Sequence, residues 1–263
     1  MSGVGGPGRA TAPAGAAVSI RDVRFRYPGA GAPLVLDGAS VEIRAGERIA
    51  VLGPNGAGKT TLMLHLNGIL RAESGSVEIG GVAVARATVR DIRRRVGVVF
   101  QDPDDQLFMP TVGEDVAFGP ANYGVRGAEL EARTAWALGR VGLPDAGALP
   151  PQHLSLGQRR RAAIATILAM DPDVVVLDEP TSNLDPSSRR ELSATLAALP
   201  ATIVVVTHDL PYALELCPRS VILSEGRVVA DGPTRDLLAD ADLLRTHRLE
   251  LPWGFDPLTA PRR

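Results

Sequence analysis

The sequence predicts an α/β fold: a largely parallel sheet covered on both faces, preceded by antiparallel strands and interrupted by a helical subdomain. Three observations carry that expectation. Residues 174–177 and 203–206 are continuously apolar, the pattern of strands buried on both faces. Helical spacing precedes and separates them, and strands alternating with helices pair in parallel. A third apolar run, 48–52, leads through a Gly-rich loop into apolar residues at helical spacing (Leu62, Leu64, Leu66, Ile69, Leu70).

Taken in order, alternation over 18–27 and 39–43 predicts half-buried antiparallel strands. The strand at 48–52, its loop and a helix over 60–70 follow, then a strand over 96–100. Residues 103–151 are richer in helix formers, above all 128–141, and end in the Pro150–Pro151 pair; with the start of the next helix they define a helical subdomain at about 103–165. A helix over 156–170, a strand at 174–177, a helix over 186–198, a strand at 202–206 and a hairpin over 221–229, turning at Glu225 and Gly226, complete the domain, 18–240. Residues 1–17 are Gly/Ala/Pro-rich and read as a flexible tail, without the apolar segment of a signal peptide. Residues 241–263 read as a second tail holding one short helix.

Composition narrows the function. The 263 residues hold 28 Lys plus Arg against 30 Asp plus Glu, a net charge of −2 that argues against nucleic acid as the main partner. The arginine runs 93–95 and 159–161 read as solvated helix faces. At 45% hydrophobic and 22% charged the chain matches folded domains, and no apolar run approaches the ~18 residues that span a bilayer. The single cysteine, Cys217, fits a reducing compartment and reads as a small buried hydrophobe. His65, His153 and His247 are scattered and suggest no metal-ligand set.

Gly53, Pro54, Asn55, Gly56, Ala57, Gly58, Lys59 and Thr60 match the phosphate-binding P-loop in full, with Thr61 continuing into the helix. Glycines let backbone N–H groups converge on phosphate, and the helix N-terminus favours the anion. Lys59 would reach the β- and γ-phosphates, and the Thr60 hydroxyl would hold Mg2+. Lys59 is also the one lysine among 28 cations, a position where an arginine fork would not fit the same loop. Asp178 and Glu179 end a buried strand, Asp178 for the metal and Glu179 as general base or water-orienting group. His208 follows the strand at 202–206 and would emerge at the same sheet edge.

Together these residues resemble the ATP-binding-cassette (ABC) ATPases over about 18–233, which implies a P-loop NTPase core of RecA-like parallel sheet with an antiparallel β-subdomain. Leu154, Ser155, Leu156, Gly157 and Gln158 resemble the family signature, with Leu156 where the family usually has Gly. The resemblance implies ATP and Mg2+ as cofactors and a head-to-tail dimer, of two copies or with a related chain, in which Ser155 and Gly157 contact the ATP held by the other subunit. It further implies that Tyr27 stacks on adenine, that Gln101 contacts Mg2+ and the attacking water, that Asp185 lies in a loop crossing the dimer interface, and that His208 contacts the γ-phosphate. The segment from Phe100 to Phe108 (Phe-Gln-Asp-Pro-Asp-Asp-Gln-Leu-Phe) and residues 111–120 resemble the ATPases of energy-coupling-factor importers, particularly the cobalt/nickel type. Leu66-Asn67-Gly68 and Leu251-Pro252-Trp253 point the same way. That likeness implies a transmembrane coupling subunit, a substrate-binding membrane subunit and a peripheral place on the cytoplasmic membrane face. A soluble ABC ATPase of DNA repair or translation, and the cassette of a conventional importer or exporter, are the alternatives.

Overall fold

The computed structural model describes residues 15–182 and 184–260. The chain runs β1 (Val18–Phe25), β2 (Leu36–Ile43), β3 (Arg48–Leu52), α1 (Lys59–Leu66), β4 (Ser74–Ile79), β5 (Val82–Ala83), α2 (Val89–Arg95), β6 (Val96–Val99), α3 (Val112–Asn122), α4 (Gly127–Arg140), α5 (Leu156–Leu168), β7 (Val174–Asp178), α6 (Pro186–Ala197), β8 (Thr202–Val206), α7 (Leu210–Leu216), β9 (Arg219–Ser224), β10 (Arg227–Pro233), α8 (Thr234–Ala239) and α9 (Ala241–Thr246). Two sheets form. One is antiparallel, in the order β2-β1-β4-β5. The other runs β10-β9-β3-β8-β7-β6, with every neighbouring pair parallel except the β9–β10 hairpin.

The parallel strands divide their side chains between two cores because successive residues point to opposite faces. Ala50, Leu52, Val175, Leu177, Ile203 and Val205 pack under helices α3 to α9. Their neighbours Ile49, Val51, Val174, Val176, Val204 and Val206 pack on the other face with α1 and the antiparallel sheet. Continuous burial of β7 and β8 is the reason those runs carry no alternation. The five parallel strands β3, β6, β7, β8 and β9 therefore end at one edge, where the loops after β3, β6, β7 and β8 meet.

Several expected elements change. The helix after the P-loop ends at Leu66, four residues early, because Gly68 takes a left-handed φ of +67° and its backbone lies so close to Val89 that a Cβ there would sit 2.8 Å from the Val89 side chain. β4, β5, α7 and α8 are short elements that no sequence pattern marks, and α2, marked only by its arginine run 93–95, begins at Val89. Arg93 and Arg94 are exposed, as a solvated face requires, although Arg93 also donates to the carbonyls of Asn67 and Gly68; Arg95 departs from that face, half-buried, pairing with Asp173 at 2.8 Å and donating to Ile79 O. The expected N-terminal tail lies outside the described residues up to 14; Ala16 is buried and Ala17 O accepts from Gly80 N at 2.7 Å. The expected C-terminal tail is folded back through residue 260. Leu244 and Leu249 join the core, and Arg235 donates to the carbonyls of Pro257 and Ala260.

Candidate active site

Between β3 and α1 the loop 53–58 turns through three left-handed glycines. Gly53 has φ +152°, and a Cβ there would lie 2.1 Å from Leu223 O; Gly58 has φ +99°, and a Cβ there would lie 2.8 Å from Val35 O. Only glycine fits either contact, so the loop is pressed against the β9–β10 hairpin on one side and the antiparallel sheet on the other. Ala57 O also accepts from Gly226 N. Gly56 faces open space.

Lys59 is 8% exposed and donates from Nζ to Gly53 O at 2.7 Å and Pro54 O at 3.0 Å. An ammonium carries three donors, so one remains for a ligand oxygen in the cleft. Burial pushes the Lys59 ammonium below its usual pKa, opposed by the Glu179 and Asp178 carboxylates. The exposed Thr60 donates from Oγ1 to Asp178 Oδ2 at 2.8 Å. Burial raises the Asp178 carboxyl, the Thr60 bond lowers it, and Glu179 raises it further. Thr60, Asp178 and the Gln101 amide line one cleft of about 500 Å³ with Val35, Asn55, Gly56, Gly58, Lys59, Thr61, Glu179 and His208. Hydroxyl, carboxylate and amide oxygens are the ligands Mg2+ takes, so the donor set fits that ion.

Glu179 is 7% exposed and has φ +45°, a strained conformation for a side-chain-bearing residue. Its carboxylate holds the backbone there. Oε1 accepts from His208 N at 2.8 Å and from the His208 ring at Nδ1, 2.7 Å away; Oε2 accepts from Thr207 Oγ1 at 3.0 Å. A carboxylate at that distance places the ring proton on Nδ1 and leaves Nε2 turned outward on an exposed ring.

The remaining expected residues are placed as follows. Tyr27 is exposed at the end of β1, its ring edge-on to Phe25 at 5.0 Å and its hydroxyl 3.1 Å from Thr61 Oγ1. Ser155 caps α5: its hydroxyl accepts from Gln158 N, and Gln158 Oε1 accepts from Ser155 N at 2.8 Å. Leu156 is half-buried, and a Cβ at Gly157 would meet Leu184 at 3.4 Å. Ser155 to Gln158 do not line the cleft around Lys59. Asp185 caps α6, accepting from the main-chain N–H and hydroxyl of both Ser187 and Ser188, which hold its carboxyl well below the usual range. Cys217 is buried and its thiol is pushed up to about 12 by that burial.

The arginine run 159–161 is the main correction at the site. Arg159 pairs with Asp104 at 3.1 Å and Arg161 with Glu191 at 2.6 Å, while Arg160 is 3% exposed and donates to loop carbonyls beside the cleft. One signal was present: three consecutive helical residues span about 200° of arc, so a run of three cannot all face solvent on a half-buried helix. Thr207, buried and bonded to Glu179, also went unassigned. No periodicity marks a strand-end threonine as a carboxylate's partner.

A strand-to-helix phosphate loop with its lysine, a hydroxyl–carboxylate pair suited to Mg2+ and a buried glutamate just after β7 define a P-loop nucleoside triphosphatase. The ABC transporter family model matches residues 36–182. A Streptomyces avermitilis protein provisionally named as an ABC transporter ATP-binding protein is 59% identical over 254 residues, 97% of this chain and 95% of the relative. The energy-coupling factor transporter ATP-binding protein EcfA of Carboxydothermus hydrogenoformans is 47% identical over 239 residues, 90% of this chain and 87% of its own. Among solved structures, cbiO1 from Clostridium perfringens, part of the ABC transporter complex cbiONQ, superposes with a TM-score of 0.77 at 35% identity, covering 89% of this chain and 95% of that one. The chain belongs to the ABC transporter family, as an ATP-hydrolysing, ATP-binding subunit with the ABC ATPase fold.

Proposed function

We propose that this chain is the ATPase of an energy-coupling-factor importer for cobalt or nickel ions, seated on the cytoplasmic membrane face through its partners. The observation that carries the reading is the surface beginning at Gln101. Asp102, Asp104, Asp105 and Glu114 are exposed around Phe108 and Phe118, which are 63% and 42% exposed and stack edge-on at 5.0 Å. Two large aromatics left in solvent inside an acidic rim suit a partner helix with an apolar anchor and basic flanks. The likeness to EcfA and to cbiO1 supports the same class.

In this reading two subunits close around ATP, each offering Ser155 and Gly157 to the nucleotide held by the other. Thr60, Asp178 and Gln101 would hold Mg2+, which would supply positive charge beside the phosphate oxygens. Lys59 binds the β- and γ-phosphates through its spare donor, Glu179 orients or deprotonates water, and His208 holds the γ-phosphate. Tyr27 stacks on adenine, and Asp185 lies at the subunit boundary. Gln101 begins the partner-facing surface, so closure at the phosphate is felt there. The transported ion binds in a membrane component.

The experiment is detergent extraction and co-purification with the membrane coupling protein, followed by Co2+ and Ni2+ uptake in vesicles. Reversing charge at Asp105 together with Phe108→Ala should abolish assembly and leave ATPase activity of the free chain within about twofold. Unchanged assembly would favour a conventional ABC importer or exporter; no membrane partner at all would favour a soluble ABC ATPase.

A further inference from the structure

Helix α5 meets the cleft through one buried cation. Arg160 Nη2 donates to Gln101 O at 2.8 Å, and Nη1 donates to Ser182 O and, at 3.4 Å, to Pro180 O. Residue 101 follows β6; residues 180 and 182 follow β7 and Glu179. One planar guanidinium thus bridges two loops that line the catalytic cleft from adjacent strands. Among the described residues it makes no ion pair, so carbonyl dipoles hold its charge, supported by the fields of Asp102 and Glu179. A buried arginine without a carboxylate partner is costly to keep, and a plain core position of the same helix would be better filled by an apolar side chain.

Around Arg160, the same helix grips the loop after β6 at further points. Arg159 pairs with Asp104, and Gln106 Nε2 donates to Ala163 O at 2.9 Å and Thr166 Oγ1 at 2.7 Å. At the helix start, Gly157 faces Leu184 and Ser188 of the loop and helix after Glu179. The N-terminus of α5, the Gln101 loop and the loop after Glu179 are therefore one mechanical unit with Arg160 at its centre.

We propose that Arg160 is a positioning residue for hydrolysis, locking the main chain at Gln101 to that at 180–182 so that the Gln101 amide, the Glu179 carboxylate and the Ser155 end of α5 move together. None of its partners belongs to the phosphate loop, so the proposal separates turnover from ATP binding. It rests on the placement of Gln101 and Glu179 in the hydrolytic site.

The test is steady-state ATPase kinetics of Arg160→Met, which keeps bulk and removes every donor, and of Arg160→Lys, which keeps the charge but cannot span both loops. Arg160→Met should lower kcat at least about tenfold with KM for ATP within threefold, since misplacement by an ångström is that costly, and Arg160→Lys should fall between it and the parent. In a Gln101→Ala background the Arg160→Met loss should be smaller, because one of the groups it positions is gone while Glu179 remains. A parent-like kcat in either variant, or an Arg160→Met loss equal in both backgrounds, would overturn the proposal. Should Arg160→Met fail to fold, Arg160→Lys carries the same kcat and KM comparison. Glu179→Gln is the control: normal hydrolysis there would defeat the site assignment itself, whereas its loss beside a parent-like Arg160→Met defeats only the role of Arg160.

Discussion

Glu179 and His208 are bonded to each other twice, through the His208 main-chain N–H at 2.8 Å and its ring Nδ1 at 2.7 Å, both to the same carboxylate oxygen. The general base proposed here is thus positioned by the residue proposed to hold the γ-phosphate, and the loops after β7 and β8 report on one another. Glu179→Gln should lower kcat by about 10²–10⁴ and accumulate an ATP-bound dimer visible by size-exclusion chromatography. His208→Ala should cost about 10² in kcat, since it removes the ring contact and frees the carboxylate to turn.

Lys59 donates to two carbonyls of its own loop from one compact ammonium, a geometry that the planar fork of arginine does not reproduce. Lys59→Arg should keep its fold, with Tm within a few degrees of the parent by calorimetry, and lose about 10² or more in ATP turnover. Near-parent turnover would show that the lysine is dispensable there.

Gly53 tests the seat of the phosphate loop. Gly53→Ala places a methyl group 2.1 Å from Leu223 O at a left-handed φ, and one of the two backbones must shift. Urea denaturation should show a loss of about 1–3 kcal/mol, and ATP affinity should fall with it because the loop moves off its support.

Asp115 gives a pH signature. Its Oδ1 accepts from Phe108 N and Met109 N, each at 3.0 Å, while Oδ2 is buried with no hydrogen-bond partner among the described residues. Burial raises the carboxyl's pKa, opposed by those two N–H groups. The folded chain therefore binds this proton more tightly than the unfolded chain, so stability falls as pH rises from the unfolded value of about 4 through the raised folded value, and is level above it. Asp115→Asn should gain on the parent in urea stability over that rise. Asp115→Ala, which strips both N–H groups of their acceptor, should lose about 1–3 kcal/mol at neutral pH and unfasten Phe108.

The phosphate loop, the Asp178–Glu179 strand end, His208 and the strand at 202–206 were legible in the sequence because each depends on residues adjacent in the chain. A glycine loop needs its glycines in a row, and a strand buried on both faces needs an unbroken apolar run. Those local requirements determined the parallel sheet and which side chains gather at its edge. The tertiary structure decided the rest: the burial of Arg160, the ties made by Arg93 and Arg95, the early end of α1 against Val89, and the packing of Leu244 and Leu249 into the core. Each of these depends on a group far away in the chain, a carbonyl, a methyl or a loop, that side-chain periodicity does not encode. An arginine on a helix reads the same whether water or another loop's carbonyls receive its hydrogen bonds, and only the assembled fold supplies the carbonyls.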